Sequence, residues 1–135
     1  MKRDNTMTRL LSIILLLLLS IGCESNRIIG SQDAMEITNV SFTTDNLYTT
    51  GTSLNVEGTL TNNNSYTIYP PFYIEALFYT DNTSQIVLGG SSDCFNYPIE
   101  PGVSTLWSLE YSSDNINESY YPNFSVSSIR IYTNE

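Results

Sequence analysis

The chain has no histidine, and its one lysine, Lys2, stands beside the first residue. Five basic residues face fourteen acidic ones in 135 residues, a net charge of −9. Two cysteines, Cys23 and Cys94, and one tryptophan complete the short supply. These absences narrow function sharply. Without histidine no imidazole base, Ser-His-Asp triad or Cys-His pair can be assembled. Zinc sites built on histidine are excluded, and two cysteines cannot supply a thiolate cluster. A nucleic-acid surface needs clustered Lys and Arg to displace counterions from phosphates, and no such cluster exists. What remains is carboxylate chemistry, oxygen ligation of hard cations, and recognition by aromatic, hydroxyl and amide side chains.

The basic residues that do occur are concentrated at the N-terminus. Lys2, Arg3 and Arg9 precede an almost wholly apolar run from Leu10 to Ile21, then Gly22 and Cys23. This is the order of a secretory signal. Leu19-Ser20-Ile21-Gly22-Cys23 resembles the lipobox of bacterial lipoproteins, with Ser20 where that family prefers Leu. The resemblance implies a signal peptide over 1–22, a diacylglyceryl group on the Cys23 thiol, and a fatty acyl chain such as palmitate on the new N-terminus. Two alternatives stand beside it, a membrane span and a plain secretory signal with an incidental cysteine. A span needs about 20 apolar residues, more than the run before the polar Glu24-Ser25-Asn26-Arg27 supplies. Two or more acyl chains hold a protein to a bilayer far better than one. Glu24 follows the cysteine where the family's inner-membrane retention signal is typically Asp, so an outer-membrane address is favoured if the host has one.

Cleavage before Cys23 would remove three of the five basic residues and one of the fourteen acidic ones. Arg27 and Arg130 would then face thirteen carboxylates, a net charge near −11. Such a chain is repelled by anionic headgroups, so membrane attachment would rest on the lipid. If Cys23 carries lipid, no internal disulfide supports the fold. Cys94 then reads as a small apolar residue buried near a strand end, with an intermolecular disulfide or a reactive thiol as alternatives.

Residues 23–34 read as a tether, and from Met35 to Glu135 the texture is uniform. Short runs rich in Ile, Val, Phe, Tyr and Thr alternate with clusters of Asn, Asp, Gly, Ser and Pro, the pattern of an all-β domain. Strands are expected over Glu36–Thr43, Leu54–Leu60, Phe72–Tyr79, Gln85–Leu88, Val103–Tyr111 and Phe124–Tyr132. Leu54, Val56, Gly58 and Leu60 alternate with polar residues, which buries one face. Phe72–Tyr79 is apolar on both phases, as a central strand would be. Gly89-Gly90 and Pro101-Gly102 read as turns. No helical period follows the apolar run. The expected fold is an immunoglobulin-like antiparallel β-sandwich of six to seven strands, with Trp107 and Phe72–Phe78 in its core.

Three segments in order resemble the FxLYD domains: Gly58-Thr59-Leu60-Thr61-Asn62-Asn63-Asn64-Ser65, Ala76-Leu77-Phe78-Tyr79-Thr80-Asp81, and Ile99-Glu100-Pro101-Gly102 followed by Trp107. Ala76 occupies the place of the family's Phe. The resemblance spans about residues 36–132 and implies an immunoglobulin-like sandwich of envelope proteins. It carries no catalytic or binding residues with it.

Among ten tyrosines, Tyr66, Tyr69, Tyr73, Tyr97, Tyr120 and Tyr121 flank turns. Exposed rings suit stacking on sugars or on another protein, and Tyr66, Tyr69, Tyr120 and Tyr121 are the candidate ligand-binding residues. Ordinary strand-end tyrosines are the competing reading. Asp114-Asn115-Ile116-Asn117-Glu118 has the oxygen content of a calcium loop without EF-hand spacing, and reads better as a solvated loop. The same holds for Asp81-Asn82 and Asp93. No cofactor, metal or catalytic residue is expected. The sequence thus points to a non-enzymatic, lipid-anchored envelope protein whose sandwich serves protein–protein interaction or spacing. A glycan-binding module using surface tyrosines is the alternative, and three or more tyrosines on one exposed face would favour it.

Overall fold

The computed structural model describes residues 34–116 and 120–134. The signal segment, Cys23, most of the tether, and Asn117 and Glu118 of the oxygen-rich loop lie outside them. Seven strands follow in order: β1 (Ala34–Glu36), β2 (Val40–Thr50), β3 (Ser53–Asn62), β4 (Phe72–Tyr79), β5 (Val87–Phe95), β6 (Ser104–Ser112) and β7 (Ser125–Asn134). They form two antiparallel sheets, β1-β7-β4-β5 and β2-β3-β6, packed as a sandwich.

Period-two alternation builds the core between the sheets. Leu54, Val56 and Leu60 on β3, and Trp107 and Leu109 on β6, turn inward from the three-stranded sheet. Phe72, Ile74, Ala76 and Phe78 on β4, with Ile131 on β7, meet them from the four-stranded sheet. At the centre the Phe42 ring meets Trp107 edge-on, with centroids 5.9 Å apart and planes at 89°. Gly58 makes room for this contact. A Cβ there would stand 1.9 Å from the Thr43 carbonyl oxygen and 2.8 Å from the Trp107 ring.

Three local expectations need correction. The stretch Glu36–Thr43 is split, because Thr38-Asn39 carries the chain from β1 on one sheet to β2 on the other, and β2 then continues to Thr50. Gly89-Gly90 lies inside β5, which runs from Val87 to Phe95. The glycine is needed for close approach: a Cβ at Gly89 would sit 2.4 Å from the Tyr111 ring, whose hydroxyl donates to the Leu88 carbonyl at 2.8 Å. Cys94 is disulfide-bonded, where a buried apolar thiol was expected; the chain's other cysteine, Cys23, is outside the described residues.

Loops are fastened by buried amides. The fully buried Asn62 side chain donates to the carbonyls of Tyr66 and Ile99, each at 2.9 Å, and accepts from the Asn64 amide at 3.0 Å. Asn64 donates to the Thr38 carbonyl at 3.0 Å. Asn62 thereby ties the β3–β4 and β5–β6 connections together, and the Ile68–Ile99 bridge completes the tie. On the outward phase of β4, Glu75 is 2% exposed and accepts from the Arg130 guanidinium of β7.

Gly58→Ala should lower stability by about 3 kcal/mol, because the new methyl meets a backbone oxygen that cannot turn aside. Urea unfolding checks this; a loss under about 1 kcal/mol would show that β2 yields without cost.

Candidate functional site

Among the described residues, a concavity lies on the outer face of the three-stranded sheet. The register sets its composition. With Leu54, Val56, Trp107 and Leu109 turned inward, Ser53, Asn55, Glu57 and Thr59 of β3 face outward beside Ser112, Glu110, Ser108 and Leu106 of β6, their cross-strand partners. A register shift between Thr44 and Asn46 makes Asp45 an extra residue in β2, and a bulge of this kind re-aims side chains. Thr59 Oγ1 donates to the Asp45 carboxylate at 3.0 Å.

Two hollows open along this face, of about 420 and 380 Å³. Tyr48, Asn55, Ser91 and Glu110 belong to the first, Asp45, Gly58, Leu106 and Trp107 to the second. Glu57, Asp93 and Ser108 line both, so the hollows adjoin as one groove. Strand β5 is hydrogen-bonded into the other sheet, yet forms the groove's side wall through Ser91, Ser92 and Asp93. The Ser91 hydroxyl fixes that wall by donating to the Glu110 carbonyl of β6 at 2.6 Å.

Each carboxylate is oriented by neutral donors. The Tyr48 hydroxyl donates to Glu57 at 2.9 Å, and the Glu57 carboxylate in turn pushes the Tyr48 phenol above its ordinary pKa. Glu110 accepts from Ser53 at 2.5 Å and Ser112 at 2.7 Å, and these two hydroxyls hold its carboxyl below the usual glutamate range. Asp93 accepts from the Cys94 amide at 2.8 Å. On the core side of the same sheet, Trp107 is 2% exposed and its indole Nε1 has no hydrogen-bond acceptor. Leu106 beside it is 76% exposed.

The four candidate tyrosines do not come together. Tyr66 and Tyr69, 56% and 73% exposed, lie in the β3–β4 connection. Tyr120, 66% exposed, and the half-buried Tyr121 lie in the β6–β7 connection. These connections occupy opposite ends of the sandwich, since β6 leaves at Ser112 against Ser53, the start of β3, whereas the other connection follows Asn62 at its far end. Tyr121 packs against the core. Tyr97, 42% exposed, joins Tyr66 and Tyr69 at their end, propped edge-on against Phe95 and Phe72.

In the oxygen-rich loop, Ile116 is 4% exposed and its amide bonds back to the Ser113 carbonyl, so this residue serves the core. Asp81 caps its own turn by accepting from the Thr83 hydroxyl and amide, which lower its pKa in that order. Among the described residues no three His, Cys, Asp or Glu side chains converge as metal ligands, and no helix is long and apolar enough to cross a membrane. Comparison with known protein families, curated proteins and solved structures finds no match.

Sequence reasoning missed the groove, although its signal was present. The outward phases of β3 and β6 could have been read from the same alternation that located the core. What no local pattern shows is that β5, from the other sheet, supplies the wall.

The Glu110 cluster predicts a pH dependence. Its folded-state pKa lies below the unfolded value, so its stabilisation is present above the unfolded pKa and is lost as pH falls through the folded one. A Ser53→Ala/Ser112→Ala protein should therefore melt below wild type at pH 7, with the gap closing under acid. A gap that persists below the carboxylate range would assign the loss to packing.

Proposed function

We propose that this chain is a non-enzymatic module of the bacterial cell envelope, exported by its N-terminal segment and held at the membrane through lipid on Cys23. Its sandwich binds another envelope component through the outer face of the three-stranded sheet. The observation that carries this reading is the groove's chemistry. Four carboxylates held by hydroxyl and amide donors, with no cation among them, make a surface for recognition. Charge also argues against nucleic acid, since Arg130 is the one basic residue of the described strands and it is bound to Glu75.

Strand order supports kinship with immunoglobulin-like sandwiches, the fold that the FxLYD resemblance implies. Sheet β2-β3-β6 has the order A-B-E, and β7-β4-β5 the order F-C-C′, with β1 beside β7 where strand G would lie.

Two observations favour second readings. Tyr66, Tyr69 and Tyr97 share one end with Pro70 and Pro71, which favours a glycan-binding surface there. The disulfide at Cys94 bears on the anchor. If that bond closes within the chain, Cys23 is its only possible partner, and its sulfur is not open to lipid. Plain secretion would follow.

Radiolabelled palmitate, fed to bacteria expressing the full chain and Cys23→Ala, decides between them. Lipid anchoring predicts label and membrane fractionation in wild type and neither in the variant. Unlabelled wild type in which one disulfide-linked peptide pair holds Cys23 and Cys94 would overturn the anchor and leave a secreted module.

A further inference from the structure

We infer that the lipid-anchored protein rests on the bilayer surface through the end of its sandwich that carries Tyr66, Tyr69 and Tyr97, whose rings enter the headgroup layer. This rests on the anchor reading above and adds the surface that meets the membrane and the orientation it imposes.

The first reason is where the chain enters the fold. Ala34 opens β1 opposite Asn134, at the edge of the four-stranded sheet. The neighbouring Thr133 hydroxyl donates to the Pro71 carbonyl at 3.4 Å, two residues from Tyr69. The tether therefore joins the sandwich at the tyrosine end. Ala34 is eleven residues beyond Cys23, a reach of at most about 40 Å. The ten residues of β3 make the sandwich about 33 Å long. Turning the opposite end to the membrane would use nearly all of that reach, whereas the tyrosine end lies beside the attachment point.

Charge is an independent reason. The connections 63–71 and 96–103 build this end, and Glu100 is their one charged residue. Glu36 on β1 and Glu135, which follows β7, belong to the strands at the attachment point and not to these connections. Asp81 and Asp114 lie in the connections at the opposite end. Anionic headgroups repel so acidic a chain, and the nearly neutral tyrosine connections meet little of that repulsion.

The rings themselves fit an interface. Tyr66, Tyr69 and Tyr97 are exposed, as are Met35 beside Ala34 and Val103, whose carbonyl accepts from the Asn62 amide. A tyrosine ring with its terminal hydroxyl suits the boundary between headgroups and acyl chains. The loops that present the rings are already fixed. Asn62 ties both connections together, and Tyr97 is propped on Phe95 and Phe72, so little ordering is lost on contact. A contact too weak to hold a free protein becomes populated once lipid confines the domain to the surface. Stacking on a glycan would serve equally well at either end. The bilayer accounts for the rings standing where the tether enters. With this end down the strands stand upright, and the groove of the three-stranded sheet faces sideways, open to another envelope component.

The test is peptide-resolved hydrogen exchange on protein purified from bacteria that express the full chain and are fed labelled palmitate. The protein is reconstituted on vesicles of phosphatidylethanolamine and phosphatidylglycerol. Cys23→Ala protein, mixed with the same vesicles, is the untethered reference. Docking predicts that 63–71 and 96–103 exchange about tenfold more slowly in the anchored protein than in the reference, with 80–86 and 113–116 unchanged. Anchored Tyr66→Ser/Tyr69→Ser should lose that protection and Tyr120→Ser should keep it, with circular dichroism confirming that both fold. Labelled wild type with no slowing at 63–71 and 96–103, or with slowing at the Tyr120 end, would overturn the docking and leave the anchor. Protection of the tyrosine connections by a glucosamine hexamer, and not by vesicles, would overturn it in favour of a glycan. Wild type without label would overturn the anchor and the docking together.

Discussion

The approach of β2 to β6 across Gly58 is the constraint on which the rest of the structure depends. Thr43 places its carbonyl, and Trp107 its indole, in the space a Cβ would take. That contact seats the one tryptophan against Phe42 and fixes the centre of the core. The bulge at Asp45 follows immediately along β2, after Thr44 opposite Gly58. A packing requirement inside the sandwich is thus adjacent to the irregularity that adds a carboxylate outside it.

The charge imbalance has a corresponding structural form. One cation is available among the described residues, and it is used where a carboxylate is most buried, at Glu75. Leaving a carboxylate buried without a partner would be strongly destabilising. The exposed Asp45, Glu57 and Glu110 are instead held by hydroxyls from neighbouring strands. Serine and threonine alternate along the outward phases of β3 and β6, as in Ser53, Thr59, Thr61, Ser104, Ser108 and Ser112. Such bonds orient an anion without cancelling its charge.

Much of the fold was legible because apolar alternation reports directly on which face a strand buries. Phe72–Tyr79 was read to the residue as a strand, and Trp107 was read as core. The misreadings have physical causes. Gly89-Gly90 has the composition of a turn, but the Tyr111 ring that requires Gly89 is brought by tertiary packing from β6. Thr38-Asn39 interrupts a run whose composition is continuous, because the chain changes sheets there. The tyrosines were recognisable as loop residues, yet nothing local reveals that Tyr120 and Tyr66 lie at opposite ends. The groove was the least legible feature, since it needs two phases of one sheet and a wall from the other.

The most direct test of the central claim uses the single tryptophan. In a proton–nitrogen correlation spectrum of labelled protein the Trp107 indole N–H gives one side-chain resonance. In Gly58→Ala that resonance should shift and broaden, because the added methyl meets the ring at the centre of the core. An indole resonance that stays in place in the folded Gly58→Ala protein would contradict the claim that the approach across Gly58 seats the tryptophan.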